Sequence, residues 1–231
     1  QNLDGGFGYQ TNRDAGIIWD STVLHSQRGL LSLSRFNEAP TFDQDAVDFI
    51  LGNQQTNGGF RNYQGEEARV SYTYNAVSAL LSMGQPIPRK NDVIHFLSTN
   101  QMESGGFLDY SLDTKEGLHT TFFALTTLEA LDGSYNKSTA ADFTMNFISN
   151  RLDGGFGDYP GLGSNSRITF DAVSVLNRIG RDPRDDKAVI DFVLNIHNID
   201  GGYGQNGQSN VETTYRSILT LQLLEEPLPD P

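Results

Sequence analysis

Two carboxylates, Asp171 and Glu212, are the best placed to act as an acid and a base. Asp171 lies in the run "RITFDAVSVLNRIG" and Glu212 in "VETTYRSILTLQLLEE". Both runs carry apolar residues at helical spacing. Carboxylates on neighbouring helices could divide the work at a glycosidic bond, one protonating a leaving oxygen and the other activating water. The same helices also carry Arg167 and Arg216. Arg167 with Glu212, and Asp171 with Arg216, then read more readily as ion pairs between helices. Sequence alone leaves both readings open.

Aligning the runs by their apolar positions puts Ser71, His119, Arg167 and Glu212 in one column. Four residues further on come Asn75, Phe123, Asp171 and Arg216, and residues at i and i+4 share a helix face. Aromatic residues accompany them: Tyr72, Tyr74, Phe122, Phe170, Tyr215, and Trp19 near the start of the chain. Tyr72, Tyr74, His119, Phe123, Arg167, Arg216 and Trp19 together would form an aromatic cup with a polar rim, suited to a hydrophobic or sugar ligand. The competing reading makes the aromatics core and His119 a hydrogen-bonded rim residue.

The elements that position these residues are repeats. Gly-Gly-aromatic occurs five times, in "LDGGFGYQTN", "TNGGFRNYQG", "ESGGFLDYSL", "LDGGFGDYPG" and "IDGGYGQNGQ". The period is roughly 48 residues, which fits one helical hairpin per repeat. Between signatures lie "DQDAVDFILGNQQ", "KNDVIHFLSTNQ", "AADFTMNFISN" and "DKAVIDFVLNIHN", each with a helical apolar pattern. After each signature and a polar loop comes a second helical run, and Gly84, Gly133 and Gly180 stand where a helix C-cap favours glycine. The glycines of the signature read as turn formers that let backbones approach closely, with the aromatic packed between neighbouring hairpins. A calcium site at Asp4, Asp153 or Asp200 is a weaker alternative, since one Asp per loop offers few hard oxygen ligands.

Composition narrows the partners. The 231 residues carry a formal net charge of −13 and no cysteine. Such an acidic surface repels nucleic acid and anionic lipid. The lack of cysteine excludes thiolate nucleophiles, disulfides and cysteine-based zinc sites. No apolar run approaches the ~20 residues that span a bilayer. The chain starts at Gln1, not Met, and reads as a processed or excised segment. That start, the Ser, Thr, Asn and Gln content and the absence of cysteine lean towards an extracellular or cell-surface setting. Asn136-Lys137-Ser138 is a glycosylation sequon of a kind that also arises by chance.

The punctuation Gln-x-x-x-Gly-x-aromatic, carried by Gln54, Gly58 and Phe60 and again by Gln101, Gly105 and Phe107, resembles the superfamily of protein prenyltransferase β subunits and squalene cyclases. Asn150 and His197 replace the glutamine in later copies. The resemblance covers the whole chain and implies an all-α fold, the α/α toroid, with inner helices lining a lumen and outer helices wrapping them. Residues 1–225 form that domain, and residues 226–231 an extended tail. The run containing His119 looks like the repeat that carries the family's zinc-binding histidine. The preceding repeat should supply an Asp and a Cys; Arg69 and Ser71 stand there, with Tyr72 matching the tyrosine that follows. The diphosphate-holding Arg and Lys of the family fall on Tyr63 and Glu66. The cyclase Asp-x-Asp-Asp motif is missing; the nearest strings are Asp43-Gln44-Asp45 and Asp185-Asp186.

These departures imply no metal and no cofactor, and a non-catalytic binding or protein-interaction module. The alternatives are an isoprenoid-handling transferase or cyclase with a divergent site, and a carbohydrate-active enzyme using Asp171 and Glu212. Five inner helices but four outer ones can be placed, so the ring reads as incomplete. A protein partner or self-association would then close it.

Overall fold

The computed structural model describes residues 1–8, 11–12, 17–18, 21–41, 43–113, 115–148, 153–159, 162–183 and 186–229. Among these residues, helices dominate. Five long ones are α1 (Val23–Arg35), α3 (Val70–Ser82), α5 (Leu118–Ala130), α7 (Ser166–Ile179) and α9 (Val211–Leu223). Four short ones alternate with them: α2 (Asp43–Leu51), α4 (Lys90–Thr99), α6 (Lys137–Met145) and α8 (Asp186–Leu194). These are the five inner-type and four outer-type runs of the sequence. Among the described residues the named strands are a two-residue antiparallel ribbon, β1 (Thr11–Asn12) with β2 (Ile17–Ile18), and isolated bridges join loop residues at the repeat signatures.

The chain divides into two compact units. One comprises Gln1–Gln101, Leu108–Thr114 and Phe123–Tyr135; the other comprises Met102–Phe107, Lys115–Phe122 and Asn136–Pro231. In the first unit α1 packs on α3, and α2 on both. Its core includes Leu30, Ile50, Val77, Leu80 and Leu97. In the second, α7 packs on α9, with α6 against α7 and α8 against α9. Phe143, Phe156, Ile168, Val173 and Leu176 form its main cluster, and Phe192, Val193, Tyr203 and Leu221 a smaller one.

The Gly-Gly-aromatic signature does three jobs at once. First, the leading glycine has positive φ and lies against the backbone of the next short helix. A Cβ at Gly5, Gly58, Gly105 or Gly154 would overlap the backbone of Asp45, Asp92, Thr139 or Ala188. Second, the following glycine lies under a phenylalanine of that helix, Phe49, Phe96, Phe143 or Phe192. Third, the aromatic residue is stitched to the first turn of the next long helix. Its N–H donates to the hydroxyl of Ser26, Thr73, Thr121, Thr169 or Thr214. Its carbonyl accepts from the N–H of Thr22, Arg69, Gly117, Asn165 or Asn210. Buried backbone groups need such partners.

The Asp of the Asp-Gly-Gly turns is also structural. Asp4, Asp153 and Asp200 accept from the hydroxyls of Ser21, Ser164 and Ser209. Ser209 and the Gly202 N–H hold the Asp200 carboxyl below its ordinary pKa.

All five long helices end alike. Asn37, Gly84, Asp132, Gly180 and Glu225 have positive φ. The next residue in each case returns its N–H to a carbonyl of the last turn, at Leu33, Leu80, Leu128, Leu176 and Leu221. This is the Schellman geometry that glycine favours. Gly84 and Gly180 meet the expectation, but Gly133 does not. Asp132 takes the left-handed position there, one residue earlier.

Candidate functional site

The long helices start in a common register, so the members of each sequence column fall at the same position along their own helices. Ser71, His119, Arg167 and Glu212 are each the second residue of their helix, and Asn75, Phe123, Asp171 and Arg216 the sixth. Capping fixes that register. The side chains of Thr22, Asn165 and Asn210 accept from the N–H three residues on.

In the second unit, residues of both columns meet at Asp171. Its side chain is fully buried. His119 Nδ1 lies 2.6 Å from Asp171 Oδ2. Arg216 Nη1 lies 3.5 Å from Oδ1, and Arg216 Nε donates to Glu212 Oε1 at 3.2 Å. One guanidinium thus bonds both expected carboxylates. Arg216 also sits 5.7 Å from the Phe170 ring centre. The expected Asp171–Arg216 pair is present. Arg167 does not pair with Glu212 as expected; it reaches back to Asp158 at 3.4 Å, on the loop before α7. Glu212 is exposed and uses the nearer guanidinium, one helical turn away.

Beside this cluster is a cavity of about 370 Å³, lined by Phe122, Phe170, Ser174, Arg178, Leu219 and Leu223 with Asn177 and Gln222. Phe122 and Phe170 meet edge to face at 5.6 Å, and the Arg178 guanidinium lies 5.9 Å from the Phe122 centre. Ser174 Oγ is buried in the lining without a hydrogen-bond partner among the described residues. Such a cavity fits an apolar body and one or two polar atoms. Sequence reasoning missed Ser174, Asn177, Arg178 and Gln222. Their signal was the helical spacing from Phe170 to Ser174 and Arg178, which continues the face that holds Arg167.

In the first unit, Tyr74 stacks on Phe123 with ring centres 4.4 Å apart. Tyr72 stands beside the Arg69 guanidinium, 5.7 Å from its ring centre, and Arg69 also approaches Tyr110. Burial pushes the Tyr72 phenol up, helped by Glu66 and opposed by Arg69. Asp109, which sequence reasoning passed over, organises this end of α3. It accepts from the Ser71 N–H at 2.7 Å and from its hydroxyl at 3.1 Å, and pairs with Arg69 at 3.6 Å. A carboxylate there also meets the positive end of the helix dipole. Trp19 lies outside the described residues, as do Asn150 and Asp185. Asp43 and Asp45 belong to the first turn of α2.

With this geometry in view, the class is clear. The prenyltransferase alpha-alpha toroid domain model matches residues 7–187 and 171–230, and the chain belongs to that family. Its fold is the α/α toroid. Solved structures agree. The chain is similar to Candida albicans protein geranylgeranyltransferase-I complexed with GGPP, at 16% identity and a TM-score of 0.70, over 88% of this chain and 67% of that one. It is also similar to a variant of the type II terpene cyclase MstE from Scytonema, in complex with its product merosterolic acid A. That match has 12% identity and a TM-score of 0.63, over 96% of this chain and 75% of that one. No curated protein matches the sequence significantly. No helix among the described residues is long and apolar enough to cross a membrane.

Proposed function

We propose that this chain is a non-catalytic binding module on the prenyltransferase toroid, holding a largely apolar ligand in the cavity between Phe122, Phe170 and Leu219. The observation that carries this is the state of the three positions that the family resemblance assigns to zinc. Arg69 and Ser71 are both engaged by the Asp109 carboxylate, and His119 Nδ1 by Asp171. A guanidinium has no free lone pair at neutral pH, and a serine hydroxyl is a poor zinc ligand. The donor set does not fit the metal.

The diphosphate positions support the same reading. The Glu66 carboxylate beside Tyr63 raises the Tyr63 pKa. Neither brings a positive charge. The two solved neighbours are recorded with GGPP and merosterolic acid A, and ligands of that apolar character suit the aromatic lining here.

A second reading, proton transfer to or from a bound ligand, is favoured by one contact. A buried Asp171 that fixes His119 Nδ1 is the arrangement that orients an imidazole as a base. In that reading Asp171 positions His119, and Glu212 stays an exposed partner of Arg216.

The experiment is titration calorimetry with zinc, with farnesol and with geranylgeranyl diphosphate. Product analysis by mass spectrometry runs alongside. Binding of farnesol in preference to the diphosphate, without zinc uptake or product, is the expected result. Stoichiometric zinc with tight diphosphate binding, or a product that His119→Gln abolishes, would replace it with an enzyme.

A further inference from the structure

The cavity beside Asp171 has a floor and a mouth. Phe122 and Ser174 are its most buried residues, 8% and 4% exposed, while Asn177 and Gln222 are exposed. Phe170, Leu219 and Leu223, all half-buried, form the wall between them. The side-chain polar atom at the floor is Ser174 Oγ.

That hydroxyl stands apart from others on the long helices. A serine or threonine inside a helix commonly returns its hydroxyl to the carbonyl one turn back. Thr73, Thr121, Thr127 and Thr220 do so, donating to Arg69, Gly117, Phe123 and Arg216. Ser174 Oγ makes no such bond to Phe170 and has no hydrogen-bond partner among the described residues. It lines the cavity instead. Ser217 Oγ shares the lack of a partner but is not part of the lining. A buried hydroxyl left unmet is costly, and a ligand atom that meets it converts that cost into preference for ligands carrying the atom.

The surroundings decide which atom that is. A charged head at the floor would exchange its water for two aromatic rings and a single hydroxyl, which cannot compensate it. Arg178 also lines the cavity, with its guanidinium 5.9 Å from the Phe122 ring centre. It would draw a carboxylate or phosphate, but the formal net charge of −13 works against the approach of an anion. A neutral hydroxyl can both give and accept a hydrogen bond, as Ser174 can. We infer that the ligand of this cavity is a neutral hydrocarbon bearing a hydroxyl, which enters hydroxyl first and is selected by Ser174. Its chain then lies along Phe170, Leu219 and Leu223. The inference rests on the apolar-ligand reading above and adds to it the polar group, the direction of entry and the residue that reads them.

The test compares three probes of one chain length: farnesol, the hydrocarbon farnesene and farnesoic acid. Each is titrated into the full chain and into Ser174→Ala, and the unliganded proteins are melted in parallel. Farnesol should bind on the order of tenfold tighter than farnesene to the native chain. In Ser174→Ala the two should agree within about threefold, through loss of farnesol affinity with farnesene affinity kept. Unliganded Ser174→Ala should melt no lower than the native chain, because its hydroxyl has no partner to lose. A lower Tm would make Ser174 a structural residue and overturn the inference. Equal binding of farnesol and farnesene to the native chain overturns it too, while leaving the apolar-ligand reading in place. Tightest binding of farnesoic acid would give the head group to Arg178 and overturn the neutral class. Binding of none of the three overturns the apolar-ligand reading and this inference with it.

Discussion

His119 and Asp171 meet across α5 and α7, with Nδ1 and Oδ2 2.6 Å apart and the carboxylate wholly buried. A buried carboxylate is tolerable only where charge and hydrogen bonds compensate it. Here His119 takes one oxygen and Arg216 the other. Asp171 on α7 therefore ties His119 of α5 to Arg216 of α9. The exposed Glu212 only steadies the arginine.

Asp171→Asn removes the charge that Arg216 faces and should cost about 2 kcal/mol. Glu212→Gln should change stability by less than about 0.5 kcal/mol. Urea unfolding of the two variants checks the contrast; equal effects would mean that Asp171 does not anchor the helices.

The hydroxyl stitch gives a second expectation. Thr169→Val keeps the shape but leaves the buried Phe156 N–H without its acceptor. The loss should be about 1–3 kcal/mol. Thr214→Val, at a half-buried position, should lose less, because water can reach the Tyr203 N–H. Chemical denaturation of both variants is the measurement.

Glu225 occupies a left-handed backbone position with φ of 55°. That conformation costs a residue with a Cβ about 1 kcal/mol relative to glycine. Glu225→Gly should therefore stabilise the chain by roughly that amount, seen as a higher Tm. Asp132→Gly should gain less despite the same φ, since it also discards the ion pair with Lys90.

His25 supplies a pH dependence. Burial, and then Arg28, push its pKa below 6.5. The Thr22 hydroxyl accepts the His25 backbone N–H and lies 2.7 Å from Nδ1, a contact that a neutral ring makes in either tautomer. The folded state resists the proton that the unfolded state takes up. This contribution is complete above pH 6.5 and fades as pH falls through the lower folded value. Between pH 7.5 and 5.5 the chain should lose more Tm than His25→Gln does; parallel losses would exclude His25 as the source.

The repeat, the alternation of long and short helices and the two columns that hold His119 and Asp171 were readable in the sequence, because helical period and turn chemistry are local. The partner of Arg167 was not. Asp158 sits in a loop whose path is set by tertiary packing, while the alignment compared only helices. Asp109 was missed for a related reason. Nothing in "FLDYSL" marks a carboxylate as the cap of a helix 38 residues earlier. Gly133 misled because the C-cap rule fixes a conformation, and Asp132 adopts that conformation one position sooner. Ser174, Asn177 and Arg178 look like ordinary helix residues until the lining of the cavity gathers them.

The leading glycine of the first four signatures meets the next short helix through backbone atoms, at Asp45, Asp92, Thr139 and Ala188. Those four contact residues share no common side-chain chemistry. A joint of this kind reads a distance and an angle, and is indifferent to the letters it joins. Substitutions on the outer surface of a short helix can accumulate without loosening the junction, while a single methyl group on the glycine would force it apart. What such a chain hands on to its descendants is a spacing. That would let a toroid persist at the 12% and 16% identities seen with its solved neighbours.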